Sequence, residues 1–107
     1  MPQPSPETSA RFDRVAESLM KASPATRGQM FGMPVLKIGT KVFAGVWGDA
    51  MNFKLGEKER AAALRLEGAT SFDPGMGRPM KEWVLVPAEH AARWSRLAKQ
   101  ALAFVGA

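Results

Sequence analysis

The sequence predicts an α+β domain whose sheet is antiparallel and whose elements stack in two layers. Three observations carry that prediction. Runs of alternating apolar residues are separated by two-residue breaks containing glycine, the signature of tight hairpins. Stripes of apolar residues at helical spacing stand near both ends of the chain, and a run of good helix formers stands between the strand runs. Helices and strands do not alternate one for one, as a parallel sheet with crossover helices would require. The 107 residues fit one domain of ordinary size.

Residues 1–5 read as a disordered Pro-rich tail and residues 6–107 as the single domain. Ser5, Pro6 and Glu7 combine a capping hydroxyl, a proline in the first turn and an early acid, so a helix starts there. Its apolar stripe is Phe12, Val15, Ala16, Leu19 and Met20, and Ala22-Ser23-Pro24 ends it. A short stretch through Arg27, Met30, Phe31 and Met33 leads into the sheet. Strands follow at Val35–Ile38, Lys41–Trp47 and Ala50–Leu55, joined by Gly39-Thr40 and Gly48-Asp49.

With Gly48-Asp49 as a two-residue loop, Val46 faces Met51, Ala44 faces Phe53 and Val42 faces Leu55. Those six share one face, the expected core face. Phe43 and Trp47 then lie on the opposite face, beside Asn52 and Lys54. At Gly39-Thr40 the register stays open. An even loop adds Leu36 and Ile38 to that second face, and an odd one sends them to the core, because one slip flips every side chain.

Glu57–Leu66 reads as a helix of good helix formers with Gly68 as a terminator. A short strand at Ser71–Asp73, a loop over Pro74–Pro79 and a strand at Lys81–Val86 come next. Pro87 opens the last helix, with Ala91, Trp94, Leu97, Ala98, Ala101, Leu102 and Val105 on one stripe. The expected order is helix, three strands, helix, two strands, helix. No internal repeat is present in the sequence.

Composition limits the function classes. Cysteine is absent, which excludes disulfides, thiolate metal sites and cysteine nucleophiles. The first residues carry no basic and apolar signal-peptide pattern, and no apolar run reaches a membrane span of about 20 residues. A cytoplasmic protein without membrane contact is expected. Fifteen Lys and Arg against ten Asp and Glu give a net charge of +5. The excess is spread along the chain without runs of adjacent bases, so solubility explains it better than a nucleic-acid surface.

Several stretches together resemble the TfoX N-terminal domain family. They are Met30-Phe31-Gly32, Phe43–Trp47, Asn52-Phe53-Lys54-Leu55, Phe72-Asp73-Pro74 and, above all, Gly75-Met76-Gly77-Arg78-Pro79-Met80-Lys81-Glu82-Trp83-Val84. The likeness continues through Val86-Pro87 to Ala103-Phe104-Val105. The family takes its name from a bacterial regulator of competence genes, in which this domain precedes a C-terminal helical domain. The resemblance implies a two-layer fold with an antiparallel sheet and a regulator-like role, and it carries over no catalytic residues. Since the sequence ends at Ala107, the expectation is a module without the regulator's second domain.

Two candidate sites follow. In the loop before the last strand, Gly75 and Gly77 allow backbone N–H groups to face an anion, and Arg78 and Lys81 supply charge. The loop lacks the Gly-Lys-Ser/Thr of a P-loop and precedes a strand, so no helix dipole assists it. The competing reading is a shaped connection whose glycines take positive φ and whose Met76 and Met80 pack on the domain. The second candidate is an association face formed by Phe43 and Trp47, because a two-layer domain covers only one face of its sheet.

His90 is the only histidine and shares a helix face with Trp94, which reads as a structural or surface role. The acids show no paired-carboxylate or calcium-loop spacing, and Ser71 and Ser95 sit in no nucleophile motif. The expected function is therefore a non-enzymatic, regulatory protein-association module that needs no cofactor or metal. Its expected partner is a protein or a second copy, as a homodimer. A nucleic-acid-binding accessory domain using the basic surface is the alternative.

Overall fold

The computed structural model describes residues 3–30, 32–73 and 80–106. Their elements run α1 (Pro6–Ala22), β1 (Thr26–Met30), β2 (Met33–Ile38), β3 (Lys41–Trp47), β4 (Ala50–Lys54), α2 (Glu57–Leu64), β5 (Thr70–Ser71) and β6 (Trp83–Pro87). A 3-10 segment (Ala88–Arg93) then leads into α3 (Trp94–Gly106). The class is α+β, with six antiparallel strands in the order β1-β2-β3-β4-β6-β5. Four strands, rather than the expected three, precede α2. The extra one is β1, whose Thr26-Arg27-Gly28-Gln29-Met30 has a single large apolar residue and so shows no alternation to read.

Local chemistry sets the element ends. Ser5 caps α1 by accepting a hydrogen bond from the Thr8 N–H at 3.2 Å, and Pro6 occupies the first turn. Gly39 and Gly48 sit at φ of 60° and 59° at the first position of the two hairpin loops, where both favoured two-residue turn types require a positive angle. The last helix does not run unbroken from Pro87. His90 departs to φ −107°, ψ 23°, and α3 begins after that kink.

One face of the sheet lies under the helices. Phe12, Val15, Ala16 and Leu19 of α1, Ala63 of α2 and Trp94, Leu97, Ala98, Ala101 and Val105 of α3 pack there. From the sheet they meet Leu36, Phe43, Ala44, Val46, Met51, Phe53, Val84 and Val86. The expected pairs Val46↔Met51 and Ala44↔Phe53 are present and belong to this core. Burying a side chain of this size contributes about 1.5–3 kcal/mol, so the three phenylalanines Phe12, Phe43 and Phe53 are major anchors.

Phe43 is thus a core residue, not part of an outer association face. The cause is a bulge. Lys37 pairs with Val42 and Leu36 with Ala44, so Phe43 is the extra residue on β3. A bulge shifts the alternation by one. Phe43 and Ala44 both turn toward the helices, while Val42, expected in the core, packs on the other side. The loop at Gly39-Thr40 is even, with Ile38 paired to Lys41, yet Leu36 and Ile38 still reach the core side. Neither parity alternative anticipated that outcome, because both assumed an unbroken ladder.

Candidate functional site

The helix-free face of the sheet is built from residues two apart on neighbouring strands. Met33, Val35, Phe72 and Trp83 are buried there, and Met30, Val42, Trp47, Met80 and Leu85 pack around them half-buried. Among the described residues, no helix contributes to this cluster. Trp47 lies where the sequence placed it, on the face away from the helices. Its ring meets Phe72 edge-on, with centroids 5.3 Å apart and planes at 75°. Such a contact adds to burial and fixes the indole.

Asn52 sits on the same face, since its neighbours Met51 and Phe53 both point into the helix-covered core. It is fully buried, and among the described residues neither its Oδ1 nor its Nδ2 has a hydrogen-bond partner. Gly45, directly opposite, makes room for it: a Cβ there would stand 3.0 Å from both Asn52 Oδ1 and Val35 Cγ1. An unpaired buried amide is expensive, so this face gives up stability at its centre. Sequence reading placed Asn52 on this face but had no signal for its burial.

Of the four expected anion contacts, Gly75, Gly77 and Arg78 lie outside the described residues. Lys81 is exposed on the turn that enters β6. Backbone hydrogen bonds hold that turn: Met80 N–H donates to Phe72 O at 2.7 Å and Trp83 N–H to Met80 O at 2.9 Å. Lys81 lines an open groove of about 540 Å³ together with Lys54, Arg60, Glu57, Glu82 and Phe104. Lys54 Nζ stands 3.9 Å from Glu82 Oε1, and Arg60 donates to the Leu55 carbonyl at 3.3 Å. The acids therefore offset much of the positive charge around Lys81, and the groove suits a mixed, partly apolar ligand better than a bare phosphate.

Two further features were less legible. His90 makes a 2.8 Å contact from Nε2 to the Glu67 carbonyl, tying the turn after α2 to the 3-10 segment, in keeping with a structural part. Asp49 does more than shape a turn. It accepts hydrogen bonds from the Ser5 N–H and the Thr8 hydroxyl, both at 2.8 Å, and so fastens the start of α1 to the β3–β4 hairpin. Those bonds, the Ser5 backbone one foremost, hold its carboxyl below the ordinary value of 3.8. Among the described residues, no group of three or more His, Cys, Asp or Glu is placed to hold a metal ion. No described helix is long and apolar enough to cross a membrane.

No family model, curated protein or solved structure matches this chain.

Proposed function

We propose that the protein is a non-enzymatic association module of the kind the TfoX N-terminal resemblance implies, taking a protein partner on the helix-free side of its sheet. The observation that carries this reading is the apolar cluster on that side, with its half-buried rim of Met30, Val42, Trp47, Met80 and Leu85. Apolar and aromatic side chains gathered on one accessible face supply the centre of a protein–protein contact, where burying them on association is favourable. The net charge of +5 favours a partner segment that is apolar at its centre and acidic at its flanks.

A displayed peptide library selected against the folded domain tests the reading. Selected peptides are expected to carry apolar centres and to lose at least about tenfold in affinity, or about 1.4 kcal/mol, to Trp47→Glu and Val42→Glu. Binders indifferent to both substitutions, in variants that keep the native circular dichroism spectrum, contradict it.

The nucleic-acid alternative has one specific support. Arg11 and Arg14 of α1 line an open groove of about 350 Å³ with Ser95 near the start of α3. Arg11 also faces Glu7 at 4.0 Å. If this groove held phosphates, duplex DNA affinity would fall with salt at a log–log slope of roughly −0.9 per contact, and Arg14→Glu would weaken it at every sequence. The association reading expects no such binding.

A further inference from the structure

The sheet has two outer strands, and they differ. At one end β5 has two residues, too short to template another strand. At the other end β1 offers five residues with no proline, no lysine and no bulge, the usual protections of an edge. Its one charge, Arg27, is turned toward the helical layer, where it meets Asp13 at 3.0 Å and lies 5.1 Å over the Phe12 ring. No backbone hydrogen bond beyond the β1–β2 ladder involves Thr26–Met30 among the described residues.

The groups that face outward follow from the register. Met30 pairs with Met33 across a two-residue connection, and such a loop closes on a hydrogen-bonded pair. The next pair, Gln29↔Pro34, is then non-hydrogen-bonded, which agrees with the missing N–H of Pro34. Continuing the alternation, Gly28 and Thr26 bond inward to β2, while Arg27 and Gln29 direct their N–H and C=O groups outward.

We propose that two copies of this chain pair through their β1 edges as antiparallel strands about a two-fold axis at Gly28. Arg27 then exchanges both backbone bonds with the partner's Gln29, and Gln29 with the partner's Arg27. This register uses the whole strand. Centring instead on Arg27 sets two guanidiniums opposite one another, and centring on Gln29 leaves Thr26 and Arg27 beyond the end of the partner strand. The assembly continues one sheet across both copies and sets their helix-free faces side by side. It does not depend on what binds those faces. One repulsion is built in. The stem of Lys37 runs over Gly28, whose Cβ would stand 3.5 Å from Nζ, so an ammonium from each copy flanks the axis and the pairing tightens with added salt.

Cysteine scanning tests the register without interference, because the chain has no cysteine of its own. Opposed residues of a non-hydrogen-bonded pair have Cα atoms about 4.5 Å apart, within disulfide range. Gly28 does not have a positive φ, and its nearest obstacle is the flexible end of Lys37, so Gly28→Cys fits. Under mild oxidation Gly28→Cys is expected to form a covalent dimer of twice the 11.6 kDa mass. Thr26→Cys should not, since its two copies would lie roughly 14 Å apart at about 3.4 Å per residue. In sedimentation equilibrium, the wild type should dimerise and Gln29→Pro should shift toward monomer with its spectrum intact, because only an outward N–H is lost. A wild type that stays monomeric at every concentration overturns the proposal, as does cross-linking of Thr26→Cys as readily as Gly28→Cys. Peptide binding by a monomer would leave the association reading standing while this one fails.

Discussion

At the scale of single residues, Phe43 and Trp47 are four apart in sequence and on opposite sides of the sheet. Phe43→Ala should cost about 3–5 kcal/mol, measured by urea unfolding, as expected for a large ring removed from a closed core. Trp47→Ala should cost clearly less, because its ring is only half-buried. Asn52 makes the opposite prediction. Replacing its unpartnered amide with Leu, which keeps the branched outline without the polar atoms, should raise stability by about 1 kcal/mol, and a loss by both Asn52→Leu and the smaller Asn52→Val would contradict an unpaired amide. Ser5→Ala removes the α1 cap and should cost about 1 kcal/mol. The depressed pKa of Asp49 has a definite sign. Its contribution is fully present above the ordinary value of 3.8 and is lost as pH falls through the lower folded value. A pH series of thermal melts should therefore show Asp49→Asn losing less stability than the wild type between about pH 4 and pH 2.

At the scale of elements, the helices were legible and one strand was not. The stripes of α1 and α3 announce themselves because each buries one face against the sheet, and Trp94 is as deeply buried as its position on the stripe implies. The Gly48-Asp49 hairpin was equally clear, since its alternation and its turn residue agree. β1 was hidden because an edge strand with both sides largely exposed needs no apolar alternation. The bulge at Phe43 was hidden for a different reason. Val42-Phe43-Ala44 alternates no polar residue, so nothing in the sequence marks where the phase slips. A turn prediction follows at this scale: Gly48→Ala should cost about 1 kcal/mol, because an L side chain is strained at φ 59°.

At the scale of the whole molecule, the two sides of the sheet are built differently. The helical side is closed by a continuous core that includes side chains from all three helices. The other side keeps a buried, unpaired amide at its centre and a half-buried rim, a combination that stability alone does not favour. The class of fold could be read from periodicity and turns. The site could not be read as fully, because which aromatic faces outward depended on a bulge, and because Gly75, Gly77 and Arg78 fall outside the described residues. The positive charge sits mainly on exposed side chains of the helices and turns, where solubility is sufficient reason for it.

The most direct measurement is an amide chemical-shift titration of the isotope-labelled domain with the tightest peptide selected from the displayed library. The account predicts that the perturbed residues gather on the helix-free face, at Val42, Trp47, Leu85 and their neighbours, while the outer surfaces of α1 and α3 stay unchanged. Shifts confined to the helical layer, centred on Arg11, Arg14 and Ser95, would contradict it.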